Sequence, residues 1–358
     1  MTENVFNSKD ISTNVRVNNI RQTIFGVLLE RLWRIAPGFS KKIVKRLFFA
    51  PARYATSPLE EDCLKNSRAF EIYVNNARIK CWKWGRGPTV LLAHGWNGRG
   101  IQLYRFIQPL TEAGYAVLTF DGPGHGESEG KTSSYFEYSD VIRYFFRFAE
   151  DYQIKGAIAH SFGAAAVINA MVKENYDLEA VLIASALKLN QVLADTFNAY
   201  GVPDFIFRDL IKEYEERFGY NLRADDPIKL LARIRSGILI VHDTEDETIS
   251  YGDSVSASRI CGRILLHTTH GLGHKRILYD HHTVDFVIKR ISRKIKPQAF
   301  QHGLNAGEEN TMESTQQLLE DYRAGDFEKR LYLFLECPEL RADFIEIDLG
   351  KPDSRAAV

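Results

Sequence analysis

The stretch that decides the fold is Gly156-Ala157-Ile158-Ala159-His160-Ser161-Phe162-Gly163-Ala164-Ala165-Ala166-Val167-Ile168. Its apolar first half reads as a buried parallel strand. Its small-residue second half reads as a helix packed close against the sheet, with Ser161 on the sharp turn between them. Small residues flank the serine because a bulky Cβ in so tight a turn collides with neighbouring backbone. The pattern expected of a nucleophilic serine at such a turn is G-x-S-x-G, and Ala159 takes the place of the first glycine, a change of one methyl group. Taken alone, the pentapeptide fits equally well a helix start capped by Ser161.

On either side of this stretch the chain alternates strand and helix. Phe70–Val74 and Arg78–Trp84 form a hairpin pattern across Asn75-Asn76. Strands follow at Thr89–Ala93 and Ala116–Phe120, with helices expected near Gln102–Ala113 and from about Phe136 to Tyr152. Beyond the serine come strands at Ala180–Ala184, Gly237–Val241 and Arg263–Leu266. Strands alternating with helices over this length imply a mostly parallel sheet covered on both faces. Between Ala186 and Leu231 the alternation stops, and a helical, aromatic-rich segment with Phe197, Tyr200, Phe205, Phe207, Tyr214, Phe218 and Tyr220 takes its place. An insertion there lies over the strand ends, where open α/β sheets bind ligands, and reads as a small cap. Its aromatics either line an apolar pocket or form the cap's own core.

The ends differ from the middle. The chain has 358 residues and no net charge, so no global field favours nucleic acid. Yet residues 1–55 hold ten Lys/Arg against three Asp/Glu, and residues 301–358 hold six against thirteen. Residues 1–19 are polar and Asn-rich, the composition of a disordered segment. From Ile20 to about Ala50 two helical patterns flank Pro37-Gly38, with Leu28, Leu29, Leu32 and Trp33 on the first and Lys41, Lys42, Lys45 and Arg46 on the second. Such a pair either docks on its own domain or makes peripheral contact with a membrane through residues 20–50. The expected organisation is an N-terminal tail with basic amphipathic helices over 1–65, a catalytic domain over 66–296 with its cap at 186–231, and a linker and acidic appendage over 297–358. Four scattered cysteines, Cys63, Cys81, Cys261 and Cys337, form no C-x-x-C pair and fit a reducing compartment. With neither a secretion signal nor an apolar run long enough to span a bilayer, the expected location is cytoplasmic, with membrane-peripheral contact as the variant.

Acyl transfer by a serine needs a base, a group to orient it, and donors for the developing oxyanion. Each role has a candidate at a strand end. Ala93-His94-Gly95-Trp96-Asn97-Gly98 follows a strand, and the Trp96 N–H is placed to join that of Phe162 as oxyanion donor. Val241-His242-Asp243-Thr244-Glu245-Asp246 follows another; Asp246 is the favoured acid and Asp243 its competitor. Thr269-His270-Gly271-Leu272-Gly273-His274 follows the last strand, where His274 is the favoured base over His267 and His270. These three histidines lack the H-E-x-x-H spacing and a companion cysteine, so no metal is expected. His160 adjoins the serine and reads as packing or pocket wall.

With these residues assembled, the chain from about Phe70 to Ser292 resembles the α/β-hydrolases of the serine esterase and lipase-like kind. The resemblance rests on His94-Gly95-Trp96, on Asp121-Gly122-Pro123-Gly124-His125-Gly126-Glu127-Ser128, on the serine turn, and on Gly271-Leu272-Gly273-His274. It implies a largely parallel sheet of about eight strands with a cap after the sixth. It also implies Ser161 as nucleophile with His274 and Asp246, Trp96 and Phe162 as oxyanion amides, and no cofactor. By the same resemblance, Asp121 and His125 shape the sheet's upper edge and do no chemistry. Ala159 departs from the family pattern, and so does Asp243, which stands where a glycine is usual. The expected activity is hydrolysis of a carboxylic ester, with a small, apolar ester or acyl compound as partner. The same apparatus serves a thioesterase, an amidase or an acyltransferase. A non-catalytic binding or scaffold protein on this fold is the competing class.

Overall fold

The fold is that of a computed structural model, which describes residues 8–260 and 262–296, with side chains from Gln22 onward. The expected linker and acidic appendage, together with Cys261 and Cys337, lie outside the described residues. Helices α1 (Ser8–Ile35), α2 (Pro37–Phe48) and α3 (Pro58–Lys65) come first. Then follow β1 (Arg68–Val74), β2 (Ala77–Trp84), β3 (Thr89–Ala93), α4 (Ile107–Glu112), β4 (Ala116–Phe120), α5 (Tyr135–Arg147), β5 (Ile154–His160), α6 (Phe162–Lys173) and β6 (Glu179–Ile183). Next are α7 (Leu189–Ala199), α8 (Asp204–Phe218) and α9 (Pro227–Leu230), which stand where the cap is expected. The chain continues with β7 (Ile238–Asp243), α10 (Tyr251–Ser258), β8 (Ile264–Thr269), α11 (Gly273–Arg276) and α12 (His281–Lys294).

The eight strands form one sheet in the order β1-β2-β4-β3-β5-β6-β7-β8. Only β2 runs against its neighbours; from β4 to β8 every pairing is parallel. Asn75 and Asn76 both adopt positive φ, 50° and 63°, the conformation a two-residue turn needs to follow the twist of the β1–β2 hairpin. Alternate residues feed two cores. Leu91, Ala157, Ala159, Leu182 and Ile240 face one side, under α5 and α6, while Leu92, Ile158, Val181 and Val241 face the other, under α12. Burying one such aliphatic side chain contributes about 1.5–3 kcal/mol, so these two layers outweigh any surface ion pair. Ala157 and Ala159 meet Ala164, Ala165 and Ala166 on the same side, which lets α6 sit close to the strand that precedes it.

Two elements differ from the sequence reading. The helix expected over Gln102–Ala113 is broken into a 3₁₀ segment, Gly100–Phe106, and the short α4. Pro109 has no N–H to give the Arg105 carbonyl, so a continuous α-helix through this point loses a bond. Helix α1 begins at Ser8, inside the stretch read as disordered, because no proline or glycine interrupts the chain before Gly26.

The helical pair is tied to α7 and α8 and to the rim of the sheet. On α2, Lys41 is paired with Asp209 and Glu213 of α8, and Lys45 with Glu213, leaving Lys42 and Arg46 exposed. Phe49 stacks on Tyr214 at 4.8 Å, and Phe48 on Phe197 at 4.3 Å. Just beyond, Arg53 donates to the carbonyls of Gly124, Ser128 and Gly130, and the Ala52 N–H donates to Asn97 Oδ1 at 2.8 Å. Among the described residues no helix is long and apolar enough to cross a membrane.

Candidate active site

The site is built where β3, β5, β7 and β8 end. Ser161 follows β5 with φ 53° and ψ −115°, a conformation that costs a non-glycine residue on the order of 1–3 kcal/mol. Close packing enforces it. A Cβ on Gly163 would lie 2.4 Å from the His94 carbonyl oxygen, and one on Gly95 would lie 3.3 Å from Ser161 Cβ. The alternative reading, a serine capping its helix, fails on geometry: the Ser161 side chain makes no capping hydrogen bond to α6.

The Ser161 hydroxyl faces His274 instead, Oγ to Nε2 3.0 Å. His274 reaches it from the turn where Gly271 and Gly273, both at positive φ, carry the chain from β8 into α11. Its other ring nitrogen, Nδ1, is 2.7 Å from Asp246 Oδ2. A ring nitrogen facing a carboxylate carries the proton, so Nε2 presents a lone pair to the serine hydroxyl.

The two competing acids separate by their partners. The Asp246 carboxylate is buried and accepts from His274 on Oδ2 and from the N–H groups of Thr248 and Ile249 on Oδ1, at 2.8 and 2.9 Å. Burial alone pushes its pKa up. Hydrogen bonds from His242 and His274, with those from the main chain, outweigh it and hold the carboxyl well below its ordinary range. Asp243 points elsewhere: it accepts from the Glu245 N–H, the Thr269 hydroxyl at 2.7 Å and the Leu272 N–H at 3.0 Å. Asp243 thereby clamps the β7 and β8 loops together.

His242 is a residue the sequence reading missed. It is buried at the end of β7, with Nε2 3.1 Å from Asp246 Oδ2 and 3.2 Å from the Ile249 carbonyl. Two acceptors on one nitrogen place the proton there, and Nδ1, 2.6 Å from Ser254 Oγ, then accepts from that hydroxyl. His242 thus braces Asp246 from behind. A histidine four residues before the acid was the available signal, and nothing in one dimension says which way its ring turns.

The other histidines go to other tasks. His160 donates from Nε2 to the His274 carbonyl at 2.9 Å, and burial pushes its pKa down to about 3. It therefore stays neutral and ties the serine turn to the histidine loop. His267 stacks on Phe286 at 3.8 Å, and His270 pairs with Thr244, so neither reaches the serine. Among the described residues no group of His, Cys, Asp and Glu is arranged to hold a metal ion.

The glycine-rich loop braces the site from below. Asp121 accepts from the N–H groups of Gly100 and Glu127, each at 2.6 Å, and Gly126 leaves no room there for a Cβ. His94 accepts from the Gly122 N–H at 2.9 Å, and Tyr138 donates to the His94 carbonyl at 2.7 Å. These bonds fix the backbone just before Trp96, whose ring lies 5.3 Å from Phe162 and 5.1 Å from His125.

The model of the alpha/beta hydrolase family matches residues 90–287, just over half of the chain. A 45-residue stretch is 47% identical to an uncharacterised 31.7 kDa protein from the traX–finO intergenic region of Escherichia coli; it covers 12% of this chain and 16% of that protein. Among solved structures, an esterase from Pyrococcus furiosus superposes with a TM-score of 0.54 at 18% identity, covering 69% of this chain and 97% of the esterase. Est1E from Butyrivibrio proteoclasticus, solved with ferulic acid bound, superposes with a TM-score of 0.50 at 20% identity, covering 63% and 97%. Identities this low speak for the fold alone. The matched stretch runs from β3 into α12 and includes every strand end described above, and on that extent of match the chain belongs to the alpha/beta hydrolase family.

Proposed function

We propose that this protein is a serine hydrolase that cleaves a carboxylic ester through an acyl-enzyme. The observation that carries this reading is one continuous hydrogen-bonded line, Ser161 Oγ to His274 Nε2 at 3.0 Å and His274 Nδ1 to Asp246 Oδ2 at 2.7 Å. In the first step the Ser161 oxygen bonds to the ester carbonyl carbon and its proton moves to His274 Nε2. Asp246, ionised throughout, stabilises the imidazolium and keeps Nδ1 protonated. The oxyanion lies between the main-chain N–H groups of Trp96 and Phe162, the latter in the first turn of α6, where amides lack intrahelical acceptors. Collapse of this intermediate breaks the bond to the alcohol oxygen, which takes the proton from His274. Water then attacks the acyl carbon, gives its proton to His274, and the acid leaves as the proton returns to Ser161.

Labelling with a fluorophosphonate tests the reading. Wild type is expected to become covalently modified and Ser161→Ala to remain unlabelled, with nitrophenyl ester hydrolysis lost in parallel. Equal labelling of both places the activated nucleophile elsewhere, and labelling of neither leaves the binding-protein class.

A further inference from the structure

Residues 22–48 lie outside the stretch that matches the family, yet some of them share a groove with Trp96. A groove of about 490 Å³ is lined by Gln22 and Phe25 of α1, Leu47 and Phe48 of α2, Trp96, and Thr196 and Tyr200 at the end of α7. No charged side chain lines it. Its volume falls within the range of small-molecule sites. Helix α1 is held against the cap by a backbone contact: a Cβ on Gly26 would lie 2.5 Å from the Gly201 carbonyl oxygen. Leu47 and Tyr200 are 58% and 62% exposed, so the groove leaves apolar surface in water that a ligand would cover.

The groove shares Trp96 with the surroundings of Ser161, and the side of the serine on which Trp96 lies decides what the groove can take. His160, just before Ser161, has its ring 4.7 Å from His274; Phe162, just after, has its ring 5.3 Å from Trp96. The leaving alcohol must lie where His274 can protonate it. That leaves the Trp96 side to the acyl portion. We infer that the groove between α1, α2 and α7 is the acyl-chain site, and that it takes an unbranched, uncharged hydrocarbon chain. This rests on the proposed ester hydrolysis and adds to it the substrate class and the part of the chain that selects it.

The test compares kcat/KM for nitrophenyl acetate, butyrate, octanoate and decanoate. Each methylene buried is worth about 0.8 kcal/mol, so wild type is expected to gain up to about fourfold per added methylene until the groove is full. Thr196→Trp, which fills the groove from an exposed position on α7, is expected to lower the decanoate-to-acetate ratio about tenfold or more. Gln108→Trp, at the separate cavity beside α4, is expected to leave that ratio unchanged. A wild-type profile flat with chain length, or a ratio that Thr196→Trp does not alter, overturns the inference. Binding is read apart from turnover by titration calorimetry with decanoate. Ser161→Ala is expected to bind it, and Ser161→Ala with Thr196→Trp to bind it at least tenfold more weakly. If neither ester hydrolysis nor labelling is seen but this difference holds, the reaction is wrong and the groove stands. Equal affinities, or no binding, remove the groove whatever the chemistry.

Discussion

The rim formed by the ends of β5, β7 and β8 and the helical layer of α1, α2, α7 and α8 are held together by different forces. At the rim, Asp246, His242, His274 and Asp243 hold one another and the buried main chain by directional hydrogen bonds, and little water reaches them. In the helical layer, rings stack on rings and half-exposed lysines pair with acids. A buried polar network tolerates no partial satisfaction, so its geometry is nearly unique. Apolar contacts of roughly the right volume tolerate exchange. The proposed reacting atoms belong to the first kind of region, and the groove proposed to take the acyl chain belongs to the second.

The largest effect expected is at the serine. Ser161→Ala should lower kcat/KM by at least four orders of magnitude with Tm little changed. Ser161→Gly should abolish activity equally and raise stability by about 1 kcal/mol in urea unfolding, since glycine adopts φ 53° without strain. A destabilised Ser161→Gly would mean that the turn is not strained.

The two neighbouring acids come next. Asp246→Asn should cost roughly 10³–10⁴ in kcat, because the amide no longer fixes the His274 tautomer. Asp243→Asn should spare the chemistry but cost about 1–3 kcal/mol of stability, as it weakens a buried clamp on Thr269 and Leu272. Interchanged phenotypes would reverse the assignment.

A smaller effect separates the buried rim by pH. His160 is an ordinary histidine when unfolded and is pushed down to about 3 when folded, so between about 6.5 and 3 the unfolded chain binds the extra proton. Stability therefore falls as pH drops through that window, by up to about 1.4 kcal/mol per unit from this group. His125, pushed down to about 4 by burial, adds to the same slope. His160→Gln should flatten the dependence by about one proton, measured as ΔG against pH in urea. An unchanged slope would mean that His160 is protonated in the fold.

The smallest effect belongs to the helical layer. Lys41→Gln with Lys45→Gln should cost no more than about 1 kcal/mol, and less in high salt, because both pairs with Glu213 reach solvent. A larger, salt-insensitive loss would show that the layer is held as the rim is.

Much of this was legible along the chain. The strands Thr89–Ala93 and Ala116–Phe120 coincide with β3 and β4 to the residue, since strands buried on both faces leave near-continuous apolar runs. The serine turn was legible because only small residues fit it. Less was legible where one hydrogen bond decides. Asp243 and Asp246 are equivalent carboxylates on one loop, and His242 is one histidine among several; which turns toward His274 depends on loops contributed by β7 and β8 together. The stretch near Gln102–Ala113 is helical as read, but its break into a 3₁₀ segment and α4 was not legible, because apolar spacing outweighs one proline.

By itself, then, the sequence determined the parallel sheet, the order of its strands along the chain and the strained serine turn. Each of these follows from hydrophobic period and steric limits, which act over a few neighbouring residues. Only the tertiary structure decided the partners of Asp246, the bracing by His242 and the groove that α1 and α2 share with Trp96. These depend on distances of about 3 Å between atoms more than twenty residues apart in the chain, or on the direction in which a ring turns, and neither is written in local composition.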